Sequence, residues 1–128
     1  MKADRGAAAV ELALVLPVLL LVLFGVIDFG RMLNTQLKLT EAAREGARAA
    51  ALRQPATTRV QAATSGLTGV TANVATCPTN AVATQDAVVT VTYNFQFVTP
   101  LAAIAGAFGN GPDETFPMEA RGVMPCSG

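Results

Sequence analysis

Gly6-Ala7-Ala8-Ala9-Val10-Glu11, followed by the uncharged run from Leu12 to Ile27, is the stretch on which the reading of this chain turns. The basic hexapeptide Met1-Lys2-Ala3-Asp4-Arg5-Gly6 leads into it. A carboxylate stands where an apolar helix begins, five residues after a glycine that could serve as a cut site. A simple membrane anchor has no use for that charge. A subunit that leaves the bilayer and stacks on copies or relatives of itself does.

Ala7 to Ile27 carries Glu11 as its only charge. At 1.5 Å rise per residue the segment makes about 31 Å of helix, close to the thickness of a hydrocarbon core. Two other readings of the run are set aside. A buried core helix needs a domain large enough to wrap it, and this chain has only 128 residues. A cleaved secretory signal needs a small-x-small site after its apolar run. Here the run exits through Phe24-Gly25-Val26-Ile27-Asp28-Phe29-Gly30-Arg31, with no Ala-x-Ala and no helix break. Lys2 and Arg5, partly offset by Asp4, favour a cytoplasmic N-terminus, so the bulk of the chain faces outwards.

Pro17 interrupts the hydrogen-bond ladder of this helix, because it cannot donate to the carbonyl of Ala13. Gly25 is a second soft point. Either these are ordinary membrane-helix residues, or a local melt lets the segment stretch or bend on moving from lipid into an assembly. Both readings stay open. Glu11 also has two readings. It is a helix-dipole partner in the first turn, or it neutralises a positive group inside an apolar bundle, where low dielectric strengthens the pair. If the chain were cut after Gly6, Ala7 would carry a new α-amine and Glu11 would be the fifth residue of the product. Pairing between the two, within or between subunits, would fix axial register, because a slip of one turn strands both charges.

A short basic leader, a glycine, a small residue, a glutamate five positions on and then an apolar run resemble a type IV prepilin signal. Glu11-Leu12-Ala13-Leu14-Val15-Leu16-Pro17, the Phe24 to Arg31 exit and Ala43-Arg44-Glu45-Gly46-Ala47-Arg48 narrow this. They are similar to the TadE-like pseudopilins of tight-adherence (Flp-type) pilus systems. The resemblance covers Gly6 to about Leu52 and fades beyond. It implies cleavage by a dedicated prepilin peptidase between Gly6 and Ala7, with Glu11 as the processing and assembly glutamate. It implies a minor pilin or pseudopilin of an adhesive surface filament, partnered by other pilins and the assembly platform, and by membrane lipid before assembly. The family's major pilins are much shorter, so this chain looks like an accessory subunit. The expected organisation is a leader over 1–6, a transmembrane and assembly helix over 7–28, its extramembrane continuation over 29–54, and a small exported α+β domain over 55–128.

Helical character continues to Arg53, with no proline and abundant Ala, Leu, Arg, Glu and Gln. Leu39, Ala43, Gly46, Ala47 and Ala50 form a narrow seam of mostly small residues. The preferred reading packs this seam on the chain's own sheet, with a partner pilin helix as the second. Glu41, Arg44, Glu45 and Arg48 form a charged stripe nearly opposite, with possible i,i+3 pairs. The whole helix would be roughly 70 Å long and ends or bends at Gln54-Pro55. Asp28, Gly30 and Arg31 mark the membrane exit. Asp28 and Arg31 read either as an i,i+3 pair in water or as a contact to a neighbouring subunit's charge.

Beyond Pro55, residues 57–65 suggest a short helix closed by Gly66, and 70–76 a strand. Val88 to Phe97 alternates clearly, with Val89, Val91, Tyr93, Phe95 and Phe97 on one face. Phe116, Met118, Ala120 and Met124 suggest a third strand, pushed to a sheet edge by Pro117. Pro100 to Phe108 reads as one or two helical turns, and Asn110-Gly111-Pro112 as a turn. The fold class is therefore α+β: a long N-terminal membrane-spanning, pilin-like helix packed on a small antiparallel β-sheet. About 75 residues follow Arg53, near the lower limit for an unaided core. Cys77 and Cys126 flank the sheet, and outside the cytoplasm a disulfide between them is the default.

Other activities find little support. The chain has no histidine, which removes the usual general base and metal ligand. Two cysteines make neither a zinc site nor a CxxC pair. Zero net charge gives no pull towards nucleic acid. Asp113-Glu114 reads as a solvated acidic turn, and Ser127 has no base to activate it. No metal, cofactor, nucleic acid or small-molecule substrate is expected, and no catalytic residue. The remaining rival is an uncleaved single-span membrane protein with an exported binding domain.

Overall fold

The computed structural model describes residues 2–82, 84–109 and 115–126. The elements in order are α1 (Lys2–Ala51), α2 (Ala56–Ala63), β1 (Thr71–Ala75), β2 (Asp86–Gln96), α3 (Leu101–Ala107) and β3 (Thr115–Pro125). The chain is α+β, and its sheet has three antiparallel strands in the order β1-β2-β3. It divides into two compact units. One holds α1 up to Arg31 together with the segment that begins at Gln96. The other holds Met32–Phe95 together with β3.

The second unit contains the core. The α1 seam expected from the sequence is buried: Leu39, Ala43, Gly46, Ala47 and Ala50 have little exposed surface, and Ala42 joins them. It meets the chain's own sheet, which was the preferred reading. Val89, Val91 and Phe95 of β2 are buried, and Ala87 with them, so the alternating face of the central strand is the inner one. Val60 of α2 closes the cluster. Each of these large side chains contributes about 1.5–3 kcal/mol by leaving water. The alanines contribute less area but let backbones approach.

Two glycines set that approach. A Cβ on Gly46 would lie 2.6 Å from Val60 Cγ2 and 3.1 Å from Val89 Cγ1. A Cβ on Gly122 of β3 would overlap the main-chain carbonyl of Ala43, which cannot swing aside as a side chain could. Gly122 was not singled out in the sequence, although a glycine inside a strand pattern is the ordinary signal of close backbone contact.

The end of α1 is tied by its own main chain. Gln54 N–H donates to Ala49 O (2.8 Å) and Arg53 N–H to Ala50 O (3.1 Å), the paired bonds of a Schellman motif. Arg53 takes the left-handed position, φ 58°, that glycine usually fills. Its guanidinium donates to the carbonyls of Pro78 (3.3 Å) and Thr79 (2.9 Å), which offsets the strain and ties the helix end to the loop after β1. That loop carries Cys77, bonded to Cys126 with a Cα–Cα distance of 5.8 Å across 49 residues. Closing such a loop stabilises the folded unit by about 4 kcal/mol in the chain-entropy account.

Several expectations shift in detail. The first strand is Thr71–Ala75 and the second begins at Asp86. Phe116 lies in β3, at the sheet edge as Pro117 suggested, and is 49% exposed. No ion pair joins Glu41 to Arg44 or Glu45 to Arg48 among the described residues, as expected of solvated side chains whose pairing gains little over water. The Asn110-Gly111-Pro112 turn, Asp113-Glu114 and Ser127 lie outside the described residues.

Gly122→Ala should lower the stability of the sheet unit by about 3 kcal/mol, the upper end for overpacking. Urea unfolding of the full chain in detergent, followed by circular dichroism, measures it. Gly30→Ala, where an added Cβ meets nothing within 4 Å, is the matched control. A Gly122→Ala chain as stable as wild type would contradict the backbone contact with Ala43.

Candidate functional site

The expected cut site lies on the exposed surface of α1. Gly6, Ala7 and Glu11 are all exposed, and a Cβ on Gly6 would meet nothing within 4 Å. Glu11 makes no hydrogen bond or ion pair among the described residues. Positions 7 and 11 are one turn apart on the helix, so their side chains share a face about 5–6 Å apart. The fold leaves Gly6 and Ala7 accessible, and no partner for the carboxylate occurs among the described residues.

The surface around Glu11 is apolar and uncovered. Val10, Leu12, Leu14, Val15, Val18, Leu19, Val22, Leu23 and Val26 are each more than half exposed. Among the described residues α1 is the one helix long and apolar enough, by length and composition, to cross a membrane. It is helical without interruption through Pro17 and Gly25.

At the other end of this run the exit residues diverge. Gly30 is exposed and open on all sides. Asp28 is 0% exposed. Its Oδ1 accepts from Val98 N–H (3.3 Å), its Oδ2 accepts from the Thr99 hydroxyl, and Arg31 Nη1 lies 3.5 Å from Oδ1. Arg31 is half exposed, so its own share of the pair is screened by water. The Asp28–Arg31 pair expected in water therefore has one partner buried. The reason is a segment seventy residues later in the chain that folds onto it. No spacing in the sequence connects Asp28 to Val98 and Thr99. The available hint is Thr99-Pro100 itself, a polar residue and a turn-former opening an otherwise apolar stretch.

A family model of TadE-like proteins matches residues 6–48, about the first third of the chain. The match spans Gly6, Glu11, the apolar run, Asp28 to Arg31 and most of the helical seam, the stretch on which the resemblance rested. No curated protein and no solved structure matches the chain. No group of three or more His, Cys, Asp or Glu that could hold a metal ion occurs among the described residues.

Asp28→Ala should free the Val98 amide and the Thr99 hydroxyl at a cost of about 2 kcal/mol of local stability. Hydrogen–deuterium exchange in detergent should show amides 98–104 exchanging faster, with those of β2 unchanged. Equal exchange at 98–104 in the variant and wild type would show that the carboxylate does not hold this segment.

Proposed function

We propose that this chain is a minor pilin or pseudopilin of a tight-adherence pilus, processed by a prepilin peptidase after Gly6 and used as a structural or priming subunit in surface adhesion. One observation carries the reading: residues 6–48, from the glycine through Glu11 and the uncovered apolar helix, match the TadE-like proteins as one block. In the membrane, lipid covers Ala7 to Ile27, the leader stays in the cytoplasm and the disulfide-bonded unit is exported. In the filament, the helices of other pilins cover the same surface.

Cleavage between Gly6 and Ala7 releases an ammonium one helical turn from Glu11. Both groups then sit at the head of an apolar rod. In a helix bundle the low dielectric favours their pairing, and a one-turn slip leaves two unpaired buried charges. The carboxylate's cost in lipid is modest because it lies near the interface, not at the centre. Its role is therefore specificity of register more than stability. The exported unit carries its own staple in Cys77–Cys126, which suits an oxidising compartment.

Glu11→Leu should insert into membranes normally, since it removes a charge from the run, yet should be lost or strongly depleted from sheared pili. Immunoblots of membrane and pilus fractions measure both. Normal recovery of Glu11→Leu in pili would refute the pairing role. Gly6→Val places a branched side chain at the scissile bond and should leave the leader attached. A shortened product from that variant would refute the cut site.

A further inference from the structure

The connection between β2 and β3 has a composition that nothing in its own fold explains. Phe97 to Gly109 reads Phe-Val-Thr-Pro-Leu-Ala-Ala-Ile-Ala-Gly-Ala-Phe-Gly, with Thr99 as its only polar side chain. No charge occurs anywhere between Asp86 and Asp113. A surface loop is ordinarily polar. This one is as apolar as α1 itself, yet α3 within it buries no residue, and Val98 and Phe108 are 71% and 76% exposed.

The segment lies along α1. Its entry is pinned to Asp28. Its far end reaches Pro17, since Ala105 and Phe108 line a groove of about 360 Å³ with Pro17, Val18 and Leu21. From Asp28 to Pro17 the helix rises about 16 Å, half the thickness of a hydrocarbon core. The groove is apolar on both walls and continuous with the uncovered surface of α1.

We propose that residues 97–109 form a second membrane-immersed element, an apolar arm that enters the outer leaflet beside α1 with lipid acyl chains covering Val98, Phe108 and the groove at Pro17. The inference rests on the reading of α1 as a membrane span. Backbone in lipid must satisfy its own polar groups, and the helical turns of the arm do so from Ile104 onward, leaving the amides of 101–103 at the end that faces the membrane exit. Ile104 N–H donates to Pro100 O (2.9 Å), Phe108 N–H to Ala105 O (3.1 Å) and Gly109 N–H to Gly106 O (3.4 Å). At the entry, where the helix has not yet begun, Asp28 takes the Val98 amide and the Thr99 hydroxyl, and Pro100 has no amide to satisfy. The buried carboxylate at the membrane exit thus has a function in the monomer: it takes two of the arm's donors where the arm enters lipid.

The chain contains no tryptophan, so one introduced indole reports its own surroundings. Phe108→Trp and Ile104→Trp are made in the full chain and reconstituted in dioleoylphosphatidylcholine vesicles, with or without lipid brominated in mid-chain. Val15→Trp on the uncovered α1 surface and Leu37→Trp in the other unit are the references. Both arm variants should lose emission to the brominated lipid as Val15→Trp does and resist aqueous acrylamide, whereas Leu37→Trp should do the opposite. If the arm variants behave like Leu37→Trp while Val15→Trp is quenched by lipid, the arm is outside the bilayer, a surface for water or for another subunit. The proposal is then overturned and the span stands. If Val15→Trp also escapes the lipid quencher, the span itself falls and the arm with it.

Discussion

The described residues leave most of the apolar surface of α1 from Leu12 to Ile27 exposed, and the other features follow from that constraint. A helix with so many exposed Leu and Val side chains is stable only in lipid or against other helices. A subunit that exchanges the first environment for the second must be recognised, released and placed in register. In the proposed transfer these tasks fall to the glycine at the head of the run, the glutamate one turn beyond its successor and the proline within it. The family match over residues 6–48 covers all three.

The rest of α1 solves a different packing problem. From Met32 onward its inward residues are mostly small, and the sheet comes close enough that Gly46 and Gly122 have no room for a methyl group. Close approach brings many weak contacts together over a short length, which matters in a unit this small. The Cys77–Cys126 bond and the Arg53 link to the loop after β1 hold the same edge of the unit. One continuous helix is thus built to two specifications: large aliphatic side chains where it is left exposed, and alanine and glycine where its own sheet covers it.

The architecture was legible because its signals are local and periodic. The uncharged run, the small-residue seam of Leu39, Ala43, Gly46, Ala47 and Ala50, and the period-two alternation around Val89 to Phe95 each state which face is covered. Pro17, Gly25 and the prepilin-like order of residues 6–11 were equally plain. The hidden features are those made by residues far apart in the chain. Asp28 reads as half of a surface pair until Val98 and Thr99 are seen folded over it. Arg53 reads as one more basic residue at a helix end, with no sign that it takes the left-handed position. The Pro100 to Phe108 turns were expected as helix, but composition could not place them beside Pro17.

The central claim is that Glu11 is retained to meet an ammonium created by cleavage after Gly6. Mass spectrometry of the N-terminal peptide, from native protein taken from membrane and pilus fractions, tests it most directly. The account predicts a chain beginning at Ala7 wherever the prepilin peptidase is present, and a leader-bearing chain where it is absent. Native protein that still carries residues 1–6 in pili would contradict it.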